Sequence, residues 1–220
     1  MSDNSATSVM LGRRFWLFLL APIILCLAPA CERKPSSPPT AATTRATTTA
    51  SAPATSAVES DDAFIGMCMR GTPQQVQARI QAGTAVNAKD KYGETPLIWA
   101  AMLNNNPEVI TALIKAGAEV NAEGGLDMTP LGDAAAHTKS PEVIAVLVKA
   151  CAEVNHKNWL GITPLICAAE FNTNPEVTAA LIKAGAEVNA RDKQGKTALD
   201  HAREKKNSQA EAALIKAGAE

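Results

Sequence analysis

One seventeen-residue segment occurs twice in this chain, almost unchanged. The segment NPEVITALIKAGAEVNA at 106–122 returns as NPEVTAALIKAGAEVNA at 174–190, with 15 of 17 positions identical. A third copy, SPEVIAVLVKACAEVNH, lies midway at 140–156, and a more divergent copy, TPQQVQARIQAGTAVNA, opens the series at 72–88. The copies follow one another at a step of 34 residues. A period of this length predicts a solenoid, in which each unit buries its apolar face only against its neighbours.

Each copy carries signals that begin and end a helix. Three residues stand just before a proline: Asn106, Ser140 and Asn174. An asparagine or serine side chain can accept a backbone N–H at the helix start, and proline at the first helical position loses no hydrogen bond. Gly117 and Gly185 follow the helix and suit the left-handed conformation that often ends one. Cys151 occupies the matching place in the third copy, so we expect strain in that turn.

A shorter helix is predicted at the start of each unit. Three segments share its design: TPLIWAAML at 95–103, TPLGDAAAH at 129–137 and TPLICAAEF at 163–171. Threonine caps the helix, proline begins it, and leucine with the paired alanines faces the interior. The turn-rich stretches DKYGE and DKQGK lie between units and predict β-turns.

These motifs resemble those of ankyrin-repeat proteins. The resemblance rests on DKYGETPLIWAA, GITPLICAA, DKQGKTAL and the endings LIKAGAEVNA, and it covers about residues 60–220. One departure is that Ile98, Gly132 and Ile166 replace the family's usual histidine, so its customary hydrogen bond to the threonine is missing. The resemblance implies an all-α solenoid of about five stacked helix-turn-helix units joined by β-turn or hairpin loops. The units are expected at about 60–89, 90–123, 124–157, 158–191 and 192–220.

The first thirty residues have a different character. Arg13 and Arg14 precede the apolar run FWLFLLAPIILCL, and the small-residue segment APA ends just before Cys31. These features are typical of a secretory signal peptide, here residues 1–30. The apolar run is short for a membrane span, which needs about 20 residues. An uncleaved anchor and a cytosolic structural segment are the alternatives.

Cys31 suggests a lipid anchor. The segment LAPAC at 27–31 resembles the lipobox of bacterial lipoproteins, although its APA end also suits ordinary signal peptidase and simple secretion. Residues 31–59 are rich in Thr, Ala, Ser and Pro, so we expect a disordered tether. Glu32, by resemblance to enterobacterial lipoproteins, favours the outer membrane. We therefore expect the chain on the periplasmic side of a membrane, as an outer-membrane lipoprotein, or secreted.

The sequence gives little sign of catalysis. It has no nucleotide loop, metal-spaced His/Cys set or nucleophile elbow, so neither a cofactor nor a metal is expected. Asp133, Cys167 and His201 stand 34 residues apart and could suggest a thiol nucleophile. Neighbouring units lie about 10 Å apart, however, too far for the hydrogen bonds of such a site. We expect no enzyme, with a thiol-dependent enzyme or redox protein using Cys167 as the alternative. Cys68, Cys151 and Cys167 are expected as free thiols, because the units separate them.

Large apolar residues in the turns point to a partner surface. In ankyrin-repeat proteins, partners usually bind the concave face made by turn tips and first helices. Side chains in turns are solvated and are seldom buried in the protein's own core. Large apolar residues at these positions are therefore typical of a surface that binds a partner. The alternative is that Trp159 and Leu160 fold onto the neighbouring turn. The candidate partner-binding residues are Tyr92, Leu126, Met128, Trp159, Leu160 and Ile162 at turn tips, and Met102, Leu103, His137 and Phe171 at first-helix ends.

The sequence thus predicts a monomeric protein–protein interaction module. Its partner is expected to be another protein, with the membrane reached through a lipid on Cys31. The net charge of −1 gives no sign of a nucleic-acid partner, which needs clustered positive charge. A structural spacer without a dedicated ligand is the remaining alternative.

Overall fold

The computed structural model describes residues 55–220, with side chains from residue 61 onward. These residues lie within one compact unit and form ten α-helices and one short 3-10 helix, η1 (Gly125–Asp127). Within residues 55–220 no helix has the length and apolar character needed to cross a membrane. The α-helices are α1 (Thr55–Arg70), α2 (Pro73–Gln81), α3 (Pro96–Leu103), α4 (Pro107–Lys115), α5 (Pro130–His137), α6 (Pro141–Lys149), α7 (Pro164–Phe171), α8 (Pro175–Lys183), α9 (Ala198–Glu204) and α10 (Ser208–Lys216).

The helices form five pairs stacked in two layers. The first helices of the pairs contact one another in the order α1, α3, α5, α7 and α9, and the second helices in the order α2, α4, α6, α8 and α10. No strand occurs in the described part of the chain, where a single β-bridge joins Arg191 to Thr197. The predicted all-α solenoid of about five units is confirmed.

The amino-terminal predictions lie mostly outside the described residues. The predicted signal peptide, 1–30, and Cys31 fall there entirely. Helix α1 begins at Thr55, inside the segment 31–59 that the sequence predicts as a tether. The first helix of the solenoid therefore starts before the predicted domain boundary at residue 60.

The helix starts follow the predicted capping chemistry. Thr95, Thr129 and Thr163 each accept the backbone N–H of the third residue onward, at 3.3 Å. Asn106 and Asn174 accept the N–H of the second residue onward, at 2.9 and 3.0 Å. The exception is Ser140, which makes no such bond to the backbone of its helix.

The predicted strain at Cys151 is also present. Cys151 has a φ of +65°, and Gly117 and Gly185 hold the same place with φ of +91° and +92°. A residue with a Cβ atom is disfavoured there, because its side chain crowds the backbone. The third unit therefore ends its second helix at a conformational cost that its neighbours avoid.

The core lies between the layers and repeats with the sequence. The first-helix leucines and alanines predicted to face the interior are in it, together with leucines of the second helices. Seven of these side chains have a relative exposure of 1% or less: Leu97, Ala100, Leu113, Leu131, Leu147, Leu165 and Leu181. Because each leucine column runs through successive units, the core is continuous along the stack.

An asparagine ladder joins each unit to the next. The side-chain amide donates to a backbone carbonyl about 30 residues further on, and the side-chain oxygen accepts a backbone N–H two residues beyond it. The four asparagines are Asn87, Asn121, Asn155 and Asn189. These residues mark the period in the sequence because each fastens its own unit to the one that follows.

A second ladder points backwards along the stack. Asn104, Asn172 and Asn207 each donate to two backbone carbonyls of the preceding unit, at 2.7 to 3.1 Å. Thr138 takes this place in the third unit. The turns between paired helices are thereby held at fixed positions.

Candidate partner-binding surface

Four turn tips connect the successive units, at residues 88–94, 122–128, 156–162 and 190–196. Three of them are built around one Asp or Asn side chain. Asp90, Asn158 and Asp192 each accept two backbone N–H groups of their own tip through Oδ1, at 2.8 to 2.9 Å. This bonding fixes the direction in which the intervening side chains leave the tip.

The tip at 122–128 is organised differently, because Gly124 takes the place of the Asp or Asn. The carboxylate of Glu94, a fully buried side chain from the preceding tip, fills the space. Its Oε1 accepts the N–H of Gly125 at 3.3 Å, and a Cβ on Gly124 would lie 2.0 Å from its Oε2. Leu126 and Asp127 adopt positive φ in this tip, at 64° and 54°.

Successive tips contact one another. Nε2 of His156 lies 3.0 Å from the carbonyl oxygen of Asp127, and the N–H of Lys193 donates to the carbonyl of Leu160 at 3.0 Å. The tips therefore form a continuous edge beside the first-helix layer.

The ten predicted residues differ widely in exposure. Tyr92 and Phe171 are exposed over 45% and 49% of their surface and are the most accessible large apolar residues of the set. His137 is also exposed, and its Nδ1 lies 3.1 Å from the carbonyl oxygen of Asp133. The half-buried residues are Leu103, Leu126, Met128, Trp159, Leu160 and Ile162.

Three of the predicted partner-binding residues are buried or pack against the core. Met102 is only 5% exposed, because α3 packs between α1 and α5; its predicted exposure is wrong. Met128 and Ile162 pack against the core. Met128 also fills the space above Gly132, where a Cβ would lie 2.9 Å from its terminal methyl group. The available surface is therefore narrower than the sequence predicts.

Trp159 and Leu160 are intermediate between the two predicted arrangements. Both side chains are half-buried. Part of each packs on the protein, and part is accessible to solvent. Neither burial against the next turn nor full exposure describes them.

Lysine side chains stand beside the two exposed aromatic rings. Nζ of Lys91 lies 5.1 Å from the ring centroid of Tyr92, and Nζ of Lys205 lies 5.8 Å from that of Phe171. A cation over an aromatic face is attracted by the ring quadrupole. Each exposed ring therefore has a positively charged lysine next to it.

Two turn tips are bonded to first helices by contacts that the sequence did not predict. Nε1 of Trp99 donates to Oδ2 of Asp90 at 2.8 Å, and Nε2 of His201 lies 2.9 Å from Oδ2 of Asp192. Trp99 and His201 hold the same place in their units. The signal available in the sequence was that each follows an aspartate by nine residues.

Cys167 has the properties of a packing residue. It is 3% exposed, and burial together with the negative charges of Asp133 and Glu170 raises the pKa of its thiol. The reactive form of cysteine is the thiolate, which such surroundings disfavour. Cys68, Cys151 and Cys167 are free thiols, and no cluster of residues suited to a metal ion occurs within residues 55–220.

A compact ionic cluster surrounds His201. Its Nδ1 lies 3.3 Å from Glu170, which also accepts from Nζ of Lys205 at 3.1 Å. The bond to Glu170 and that to Asp192 outweigh partial burial and raise the pKa of His201. The pKa of Glu170 is lowered: its burial acts in the opposite direction, but the bonds from His201 and Lys205 outweigh it. The cluster joins the last turn tip to α7 and α9.

Comparison with known families agrees with this architecture. A family model of ankyrin repeats, three copies long, matches residues 64–158 and 131–220, which is well over half of the chain. The chain belongs to the ankyrin-repeat family. Ankyrin repeats are generally protein–protein interaction modules, and the family is typically non-enzymatic. No curated protein matches this ankyrin-repeat chain.

Proposed function

We propose that this ankyrin-repeat protein is a monomeric binding module of the cell envelope. Its partner is another protein, held on the surface formed by the turn tips and the carboxyl-terminal ends of the first helices. We name the accessible part of this surface the tip surface: Tyr92, Leu103, Leu126, His137, Trp159, Leu160 and Phe171. The exposure of Tyr92 and Phe171 is the observation that carries the proposal.

Exposed aromatic rings favour binding over a spacer role. Neither Tyr92 nor Phe171 is needed to fill the core, since nearly half of each side chain faces solvent. Aromatic side chains contribute large contact areas at interfaces and dominate many of them. A spacer without a ligand gains nothing from exposing these rings.

The envelope location is supported by the amino-terminal sequence. Arg13, Arg14 and the apolar run after them fit a signal peptide, and Cys31 fits the lipid-bearing residue of a lipoprotein. The Thr-, Ala-, Ser- and Pro-rich segment behind Cys31 would let the ankyrin domain stand away from the membrane.

The test is quantitative capture of partners from envelope extract by the immobilised full chain. Two variants are compared with the wild type: Tyr92→Ser with Phe171→Ser, and the control Ile215→Ser. Ile215 is similarly exposed, at 52%, but lies on α10 in the second-helix layer. Thermal unfolding of each variant shows whether the fold is retained.

We expect the double variant to lose most of the captured protein and the control to lose none. This loss is expected because removal of a hot-spot side chain weakens binding by about 2 kcal/mol or more. Equal capture by all three chains would refute binding through the tip surface. An absence of any captured protein with the wild type would favour the spacer.

A further inference from the structure

We propose that the partner presents an acidic segment, and that this segment binds the last two turn tips. This inference rests on the proposed binding function and specifies the chemistry of the partner. We name residues 156–162 and 190–196 the basic tips. The two tips adjoin, because the N–H of Lys193 donates to the carbonyl of Leu160 at 3.0 Å.

Positive charge dominates the basic tips. They carry Lys157, Arg191, Lys193 and Lys196, and the first three are exposed. Their only carboxylate is Asp192, whose side chain is 4% exposed and bonded to His201. The whole chain has a net charge of −1, so this excess is local.

The carboxylates of α7 and α9 near the basic tips are already engaged. Glu170 bonds His201 and Lys205, and Glu204 lies 2.6 Å from Nζ of Lys196. Asp200 accepts two hydrogen bonds from Thr197 and attracts Arg191.

Within residues 55–220, by contrast, Lys157 and Lys193 form no ion pair. Arg191 donates to the carbonyl of Gly195 at 2.7 Å. Two lysines therefore remain available to an external anion.

Apolar surface lies among these cations. Trp159 and Leu160 leave the first basic tip half-buried, and the exposed ring of Phe171 lies at the end of α7 beside Lys205. A ligand that suits both must combine carboxylates with large apolar side chains. A short acidic segment of a protein has this composition, and complementary charge would guide and orient its approach.

The basic surface is too short for an extended polyanion. The tip at 122–128 carries Glu123 and Asp127, both exposed, which separate the basic tips from Lys89 and Lys91 of the first tip. A nucleic-acid strand or an anionic membrane would meet these carboxylates as well. The interruption favours a protein segment that covers only the last two tips.

The probe is a set of synthetic peptides with identical phenylalanine and leucine positions. The intervening residues are all glutamate, all glutamine or all lysine. Binding to the full chain is measured by fluorescence anisotropy at low and physiological salt. A second probe is vesicles of phosphatidylglycerol and phosphatidylethanolamine, measured by co-sedimentation.

Two charge-reversal variants are compared with the wild type. Lys157→Glu with Lys193→Glu alters the basic tips. The control, Lys149→Glu with Lys183→Glu, changes the net charge equally but alters exposed lysines at the ends of α6 and α8, in the second-helix layer. Residues 31–59 are the same in all three chains, so they cannot account for a difference between them.

We expect the glutamate peptide to bind about tenfold or more tighter than the glutamine peptide, and increasingly so at low salt. The basic-tip variant should lose about tenfold in affinity, whereas the control changes by about twofold at most. Equal affinity for all peptides, tighter binding of the lysine peptide, or equal effects of the two variants would overturn the inference. The absence of peptide binding would also overturn the inference, whether or not vesicles bind through Lys157 and Lys193.

Failure of this inference is separable from failure of the proposed function. Partner capture that depends on Tyr92 and Phe171, together with charge-independent peptide binding, would leave the binding module intact and remove only its acidic partner.

Discussion

His201 lies between two carboxylates, with Nε2 2.9 Å from Asp192 and Nδ1 3.3 Å from Glu170. The imidazolium is thereby favoured in the folded protein, and its pKa is raised above the usual 6.5. Trp99 makes the equivalent bond three units earlier in the stack, with a donor that does not titrate. The last unit is thus attached by a bond whose strength depends on pH.

The raised pKa of His201 predicts a loss of stability at alkaline pH. The contribution of His201 is fully present below its unfolded pKa near 6.5 and is lost as the pH rises through the higher folded pKa. Glu170 has the opposite dependence. Its folded pKa lies below 4.5, so its contribution is present above 4.5 and is lost as the pH falls through the folded value. The cluster should therefore stabilise the protein most between about pH 4.5 and 6.5.

Urea unfolding at pH 6 and pH 8 tests this pH dependence, with His201→Trp as the matched variant. The wild type should lose on the order of 1 kcal/mol more than the variant over this interval. The comparison removes the contributions of all other groups, which both chains share. A wild-type loss no greater than that of the variant would contradict the assignment.

At the residue scale, the role of a residue was predictable where its partner is close along the chain. Thr95 accepts the backbone N–H of Ile98, three residues further on, and Leu165 is buried because it lies on the apolar face of its helix. The role was not predictable where the partner belongs to another unit. The role of Asn121 depends on the carbonyl of Cys151, and the burial of Glu94 depends on Gly124. Neither pairing has a local signature.

At the scale of the element, the helices and their stacking followed from the repeat. Capping threonines, prolines and core leucines recur in the three central units, so the helix assignment of one unit is supported by the other two. The exposure of individual positions did not follow as well. Met102, the last residue but one of α3, is buried, whereas Phe171, the last residue of α7, is exposed. Phe171 corresponds to Leu103 in the repeat, and adjacent residues of a helix point about 100° apart. Burial near a helix end therefore depends on the exact position of a residue around the helix.

The end of α6 offers a test of helix termination. Cys151→Gly should stabilise the protein by about 1 kcal/mol, because glycine accepts the observed φ of +65° without the Cβ penalty. The converse change, Gly185→Ala at the equivalent turn after α8, should destabilise it by about 1 kcal/mol. Both values come from urea unfolding. Destabilisation by Cys151→Gly would show that the thiol contributes packing that outweighs the strain.

At the scale of the whole molecule, the contacts that hold the units together repeat, but the surfaces of the units differ. The asparagine ladder and the leucine columns repeat from unit to unit, whereas the tips differ in charge and in apolar content. The tip at 122–128 is acidic, and the two that follow are basic. Specific recognition by such a chain therefore depends on which tips a partner covers, while the spacing between tips stays constant.

The proposed envelope anchor is tested by changing Cys31 alone. Thioether linkage of a diacylglycerol needs the sulfur of Cys31, so Cys31→Ser should abolish lipid labelling and move the chain from the membrane to the soluble envelope fraction. Metabolic labelling with a fatty acid, fractionation and mass spectrometry of the amino-terminal peptide measure the outcome. Cys26→Ser is the matched control, because Cys26 lies within the predicted signal peptide and its sulfur would be removed with it. A wild-type chain that begins at Cys31 with a free amine and no acyl mass would show simple secretion, and a chain that keeps residues 1–30 would show an uncleaved anchor.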